Sequence, residues 1–119
     1  MSRKSIGNSA EIYVAEHLSK KGWFVVLVPQ GVSGQPFDLI AIRNNRCLCG
    51  DVKHISRGDV FPISRVEPNQ ITAFELLRLT GTSEYGIFLK FEGDNDVYFQ
   101  YWEVMKNMKS ISKWECRKI

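Results

Sequence analysis

The stretch Pro36-Phe37-Asp38-Leu39-Ile40-Ala41-Ile42-Arg43-Asn44-Asn45-Arg46-Cys47-Leu48-Cys49-Gly50-Asp51-Val52-Lys53 decides how the chain is read. Residues 37–42 and 46–53 have strand length and composition, and Asn44-Asn45 between them suits a tight turn, so the spacing predicts a hairpin. Two places break the apolar pattern: Asp38 opens one strand, and Asp51 and Lys53 close the other. Residues i and i+2 of a strand share a face about 6.6 Å apart along the chain, so the Asp51 carboxylate and the Lys53 ammonium project side by side. Counting outward from the turn, position 38 pairs with 51, which brings a second carboxylate across the ladder.

Upstream, Trp23 to Val28 is an unbroken apolar run that reads as a central strand buried on both faces. Before it, Ala10, Val14 and Leu18 recur at i, i+4 and i+8. They predict a helix capped by Asn8 or Ser9 and closed by Lys20, Lys21 and Gly22. Pro29 to Pro36 is a loop carrying Gly31, Ser33 and Gly34. Downstream, a longer loop passes Gly58 and Pro62, and Pro68 suits the first position of a second helix running roughly to Thr80, ended by Gly81. Tyr85 to Phe91 and Val97 to Trp102 read as another hairpin, around Gly93-Asp94-Asn95-Asp96, before a short helix or irregular tail. The order αβββαββ predicts an α/β fold, a single domain with a mixed central sheet flanked by helices. It would occupy residues 1–119, with a core at about 4–102 and a basic tail at 103–119.

Composition agrees with one such domain. The 119 residues are 44% apolar and 24% charged, which excludes disordered, collagen-like and disulfide-scaffold classes. No apolar run has the length of a membrane helix, and the N-terminal residues have charge without the apolar core of a signal peptide. Three cysteines, odd and sparse, suit a reducing compartment, so the expected location is cytoplasmic. The net charge of +3 is unevenly spread. Lys106, Lys109, Lys113, Arg117 and Lys118 face only Glu115 in the last segment, and Arg3 and Lys4 form a second small cluster. Arg3, Lys4, Lys109 and Lys113 are therefore candidate phosphate contacts, and Ser33 joins them from its glycine-bearing loop.

Two carboxylates as close as Asp38 and Asp51 repel unless a cation separates them. Mg²⁺ or Mn²⁺ suits the pair, since such hard cations take one or two protein carboxylates plus waters and substrate phosphate. A lysine beside the metal can orient the attacking water and offset developing negative charge. The reaction class is metal-assisted phosphodiester hydrolysis. An acid-x-Lys triplet carries little weight alone. Its place at a strand end, opposite Asp38, gives it weight.

The layout of an acid-bearing helix, a strand, a loop, Pro36-Phe37-Asp38, a turn, Asp51-Val52-Lys53 and a helix with Gln70 resembles the PD-(D/E)xK nuclease superfamily. Within it the nearest likeness is to archaeal-type Holliday-junction resolvases and their phage relatives, over residues 4–90. The resemblance implies a Mg²⁺- or Mn²⁺-dependent endodeoxyribonuclease acting on branched DNA as a homodimer. It implies that Glu11, Asp38 and Asp51 hold the metal, with Val52 lending its main-chain carbonyl. Lys53 becomes the catalytic lysine, and Gln70 the polar residue near the attacking water. The chain departs from the pattern in carrying Asp51 where glutamate is commoner, and in being less basic than junction-cleaving members usually are.

Other uses of these residues stay open. Glu11 lies three residues after Asn8, and Gln70 three after Glu67, so each also fits a capping box. Cys47, Cys49 and Cys116 lack zinc spacing and read as small apolar side chains. His54 points away from Lys53 in a strand, His17 has no acidic company, and Trp102 and Trp114 suit either packing or base stacking. The competing functions are a non-catalytic nucleic-acid-binding module of the same fold, a restriction- or repair-type nuclease acting on other DNA structures, and an interaction domain indifferent to DNA.

Overall fold

The computed structural model describes residues 3–29, 37–81 and 84–119, with side chains from residue 9 onward. Helix α1 (Arg3–Lys20) leads into strand β1 (Phe24–Leu27), and the hairpin follows as β2 (Leu39–Arg43) and β3 (Arg46–Ile55). A short β4 (Val60–Pro62), helix α2 (Pro68–Leu79) and strands β5 (Tyr85–Phe91) and β6 (Tyr98–Tyr101) come next. The chain then forms α3 (Trp102–Met105), β7 (Ser110–Ser112) and β8 (Arg117–Lys118). Six strands make one sheet in the order β1-β2-β3-β5-β6-β8, while β4 and β7 pair separately. Only β3 and β5 run parallel within the large sheet, so it is mixed.

Each face of the sheet has its own core. Ala10, Val14 and Leu18 of α1 pack on Leu39, Ala41, Leu48, Val52, Phe88 and Phe99. Phe74 of α2 and Trp102 of α3 pack on the other face with Cys49, Tyr85, Ile87 and Leu89. Phe74 lies 5.7 Å from the Tyr85 ring and 5.5 Å from the Trp102 ring, so one aromatic cluster locks both helices to β5. The sheet centre is tight. A Cβ on Gly50 would fall 2.3 Å from the Gly86 carbonyl oxygen, so β3 carries glycine there by necessity.

Three expectations are corrected. Helix α1 starts at Arg3, so Asn8 and Ser9 lie inside it and cannot cap it. No proline interrupts residues 3–9, and glycine or asparagine weakens a helix by only about 1 kcal/mol or less each. The helix ends as expected: Gly22 takes φ +89° while the Trp23 N–H returns to the Leu18 carbonyl. Second, β1 is an edge strand. Among the described residues it pairs with β2 alone, and Phe24 is 69% exposed. The unbroken apolar run resembles a central strand because its outward face, Phe24 and Val26, is apolar although uncovered by any described residue. Third, the end of the chain is more ordered than an irregular tail. Strand β7 pairs with β4, and β8 closes the far edge of the sheet beside β6. No helix among the described residues is long and apolar enough to cross a membrane.

Candidate active site

The hairpin has the register that the sequence implies. Arg43 pairs with Arg46 and Leu39 with Gly50, and continuing that count sets Asp38 against Asp51. Both turn residues carry positive φ, 50° at Asn44 and 64° at Asn45, as a type I′ turn requires. Asp38 stands one residue before β2. Its N–H donates to the Gly50 carbonyl at 3.0 Å, and its Oδ2 accepts the Val52 N–H at 2.9 Å. A strand residue directs its N–H and C=O to the same side. The Val52 carbonyl therefore also faces past the end of β2, beside Asp38.

Asp51 is 1% exposed, and among the described residues its Oδ2 is a buried side-chain oxygen with no hydrogen-bond partner. Burial first, and then the neighbouring Asp38, push its carboxyl up to about 8, against the pull of Lys53. Glu67 and Glu11 push the same way. Burial also raises the Asp38 carboxyl, opposed by the Val52 N–H, by Lys53 and by a hydrogen bond with Glu11. Lys53 is half-buried on the same face of β3 as Asp51, and no described residue bonds its ammonium.

The structure thus brings Glu11 of α1, Asp38 just before β2, and Asp51 and Lys53 of β3 within electrostatic reach of one another. Sequence reasoning overlooked Glu67, whose charge reaches both aspartates from the N-cap of α2. Its signal was an acid directly before Pro68. Gln70 is buried, and its Oε1 accepts the Glu67 N–H at 2.9 Å, so this side chain serves as a capping partner. His54 bonds Glu92 at 2.7 Å, and Cys47, Cys49 and Cys116 are free thiols.

The expected phosphate contacts are scattered. Ser33 lies outside the described residues, as do the side chains of Arg3 and Lys4 on α1. Lys109 is exposed between α3 and β7. The Lys113 ammonium is held by Asp94 at 2.9 Å and Asp59 at 3.4 Å. That pairing, together with the Asp96 N–H and the Tyr98 hydroxyl, holds the Asp94 carboxyl well below the usual range.

Among the described residues no three His, Cys, Asp or Glu side chains are gathered at metal-holding geometry. The residues present still fit a hard divalent cation. Mg²⁺ needs only one or two protein carboxylates, and the buried Asp51 Oδ2 has no hydrogen-bond partner among the described residues. Val52 adds a carbonyl on the same side.

A mixed sheet with helices on both faces, and an acid pair and lysine at one end of its hairpin, defines the restriction-endonuclease-like α/β fold. No protein-family model and no curated protein matches the sequence. Solved structures do match. The Holliday junction resolvase Hjc from the archaeal hyperthermophile Archaeoglobus fulgidus aligns over 94% of this chain and 95% of its own, with TM-score 0.72 and 17% identity. A bacterial homing endonuclease aligns over 92% of this chain and 73% of its own, with TM-score 0.62 and 19% identity. Both alignments span more than nine-tenths of this chain, so the likeness read from the hairpin extends to the whole fold.

Proposed function

We propose that this chain is a Mg²⁺- or Mn²⁺-dependent endonuclease that hydrolyses DNA phosphodiesters, with branched DNA such as a Holliday junction as substrate. The observation that carries the reading is the buried Asp51 carboxyl held against Asp38, its Oδ2 bonded by no described residue, with Lys53 on the same strand face. That arrangement costs stability without a cation and gains from one.

Asp38, Asp51, the Val52 carbonyl and Glu11 would hold the metal. When bound, it supplies charge stabilisation at the phosphoryl oxygen and a more acidic water. The protein's own contributions are separable. Asp38 is aimed by the Val52 N–H, which fixes its carboxylate against the β3 backbone. Asp51 must give up its proton before its oxygens can coordinate, so cation binding and deprotonation are linked. Lys53 orients the attacking water and donates to the developing oxyanion. Gln70 positions the start of α2, and with it Glu67. Arg3, Lys4, Ser33 and Lys109 are candidates for backbone phosphates. A homodimer completes the reading, because a four-way junction offers two symmetric strands and a twofold protein matches them.

The test is cleavage of labelled four-way junction, flap and linear duplex in Mg²⁺, Mn²⁺ and EDTA. The reading expects metal-dependent cutting that favours the junction. Preference for flap or linear duplex would keep the chemistry and discard the resolvase assignment. Tight binding without cutting in any metal would favour the non-catalytic module.

A further inference from the structure

A second charged site lies on the other face of the sheet. Lys21, Arg43, Arg46, Arg117 and Lys118 line a cleft of about 510 Å³, and no acidic side chain lines it. They come from the end of α1, both sides of the Asn44-Asn45 turn, and the last strand. Arg43 and Arg46 are direct cross-strand partners, a like-charge pairing that is unfavourable by itself. Two neighbouring acids each take one cation: Glu84 bonds Arg46 at 2.8 Å, and Asp96 reaches Lys118 at 3.3 Å. Among the described residues, Arg43 and Arg117 form no ion pair with a carboxylate side chain, although Arg117 lies within electrostatic reach of Glu84, and the Lys21 ammonium donates to the Ile119 main-chain oxygen at 3.0 Å. Arg43 donates to the Lys21 carbonyl at 2.7 Å and lies 4.5 Å above Trp23, while Arg117 lies 5.4 Å above Tyr101. The guanidiniums are therefore pre-positioned but not neutralised.

We propose that this cleft binds the phosphate backbone of a DNA segment other than the one at the carboxylates. The inference rests on the DNA part of the reading above. Backbone recognition follows from the shape of the site. Its floor, Trp23, Leu48 and Phe99, is buried, with Trp23 only 5% exposed beneath Arg43, so the polar contacts it offers come from the cations around it. What remains is a ring of donors spread over several elements, which reads charge and not sequence. The cleft cannot serve the segment being cut. Arg46 and Leu48 point to the α1 face of β3, whereas Asp51 points to the α2 face, about 16 Å further along the strand. A second arm of a branched substrate, bending round the hairpin end, meets both.

The experiment is equilibrium binding of a fluorescein-labelled four-way junction and a 30-base-pair duplex in EDTA, across a salt series. The variants are Arg43→Gln with Arg117→Gln, Arg117→Glu alone, and Arg78→Gln, a surface cation of α2 paired with Glu75. The double variant should lose about tenfold in junction affinity, with a log–log salt slope shallower by about 2, and Arg78→Gln should keep the wild-type slope. Arg117→Glu, an exposed substitution on the edge strand, should weaken junction binding by a similar factor, which secures the test if the double variant does not fold. Affinities within twofold of wild type and unchanged slopes would overturn the proposal. Competition by AMP in the wild type, with DNA affinity untouched in the variants, would overturn it too. Wild-type cleavage in Mg²⁺, run in parallel, separates the two claims. Cutting with unchanged slopes sinks only the cleft, whereas changed slopes without cutting sink only the nuclease.

Discussion

Asp51 is the residue on which the chemistry turns, and its environment sets a pH signature. Its folded carboxyl lies near 8, above the ordinary 3.8, so burial favours the protonated form. The stability contributed by that proton is complete below pH 4 and is lost as pH rises through about 8. The metal-free cost of ionising it is on the order of 5 kcal/mol. Asp51→Asn, which mimics the neutral acid, should therefore raise Tm by roughly 15 °C or more at pH 8 without metal, and change it little at pH 4. Millimolar Mg²⁺ should stabilise the wild type at pH 8 by about 1 kcal/mol and leave the variant unmoved. Thermal melts at the two pH values check both statements; a variant less stable than wild type at pH 8 would contradict the burial argument.

The hairpin is the element that brings the site together, and it was legible because its turn chemistry and its period-2 pattern agree. Asn44-Asn45 fixes the register, and the register sets Asp38 against Asp51. Asn45→Gly should stabilise the fold by a few tenths of a kcal/mol, since glycine suits φ 64°, and Asn45→Val should destabilise it by about 1–2 kcal/mol. Gly50→Ala is the harsher change. Its Cβ meets the Gly86 carbonyl first, with the buried Phe88 ring 3.0 Å away, so a loss of about 3 kcal/mol or failure to fold is expected in urea denaturation. Elements set by long-range contact were harder to read. The β1 run is apolar on both faces, and nothing local shows that no described strand covers its far side. β8, two residues long, exists only because β6 offers it an edge. Glu67 was visible as an N-cap, but its charge matters because α2 docks near β3, which no local pattern states.

At the scale of the molecule, two surfaces remain to be used. The cationic cleft on the α1 face would have been readable had the hairpin register been carried outward to Arg43 and Arg46. The apolar strip of Phe24 and Val26 on the edge strand β1, with Ile42 of β2 beside it, is a surface that the proposed homodimer can cover. Sedimentation at about 10 μM should give a dimer mass, and Phe24→Glu should shift it to monomer. A wild-type monomer at that concentration would remove the twofold argument. The central claim, that Asp38, Asp51 and Lys53 form a metal-dependent hydrolytic site, is tested most directly by single-turnover junction cleavage in Mg²⁺. Wild type, Asp38→Asn, Asp51→Asn and Lys53→Ala would be prepared side by side. The account predicts cutting by wild type that EDTA abolishes, and losses of about 10²-fold or more in every variant while DNA binding is retained. Cutting that survives Lys53→Ala and Asp51→Asn unchanged would contradict it.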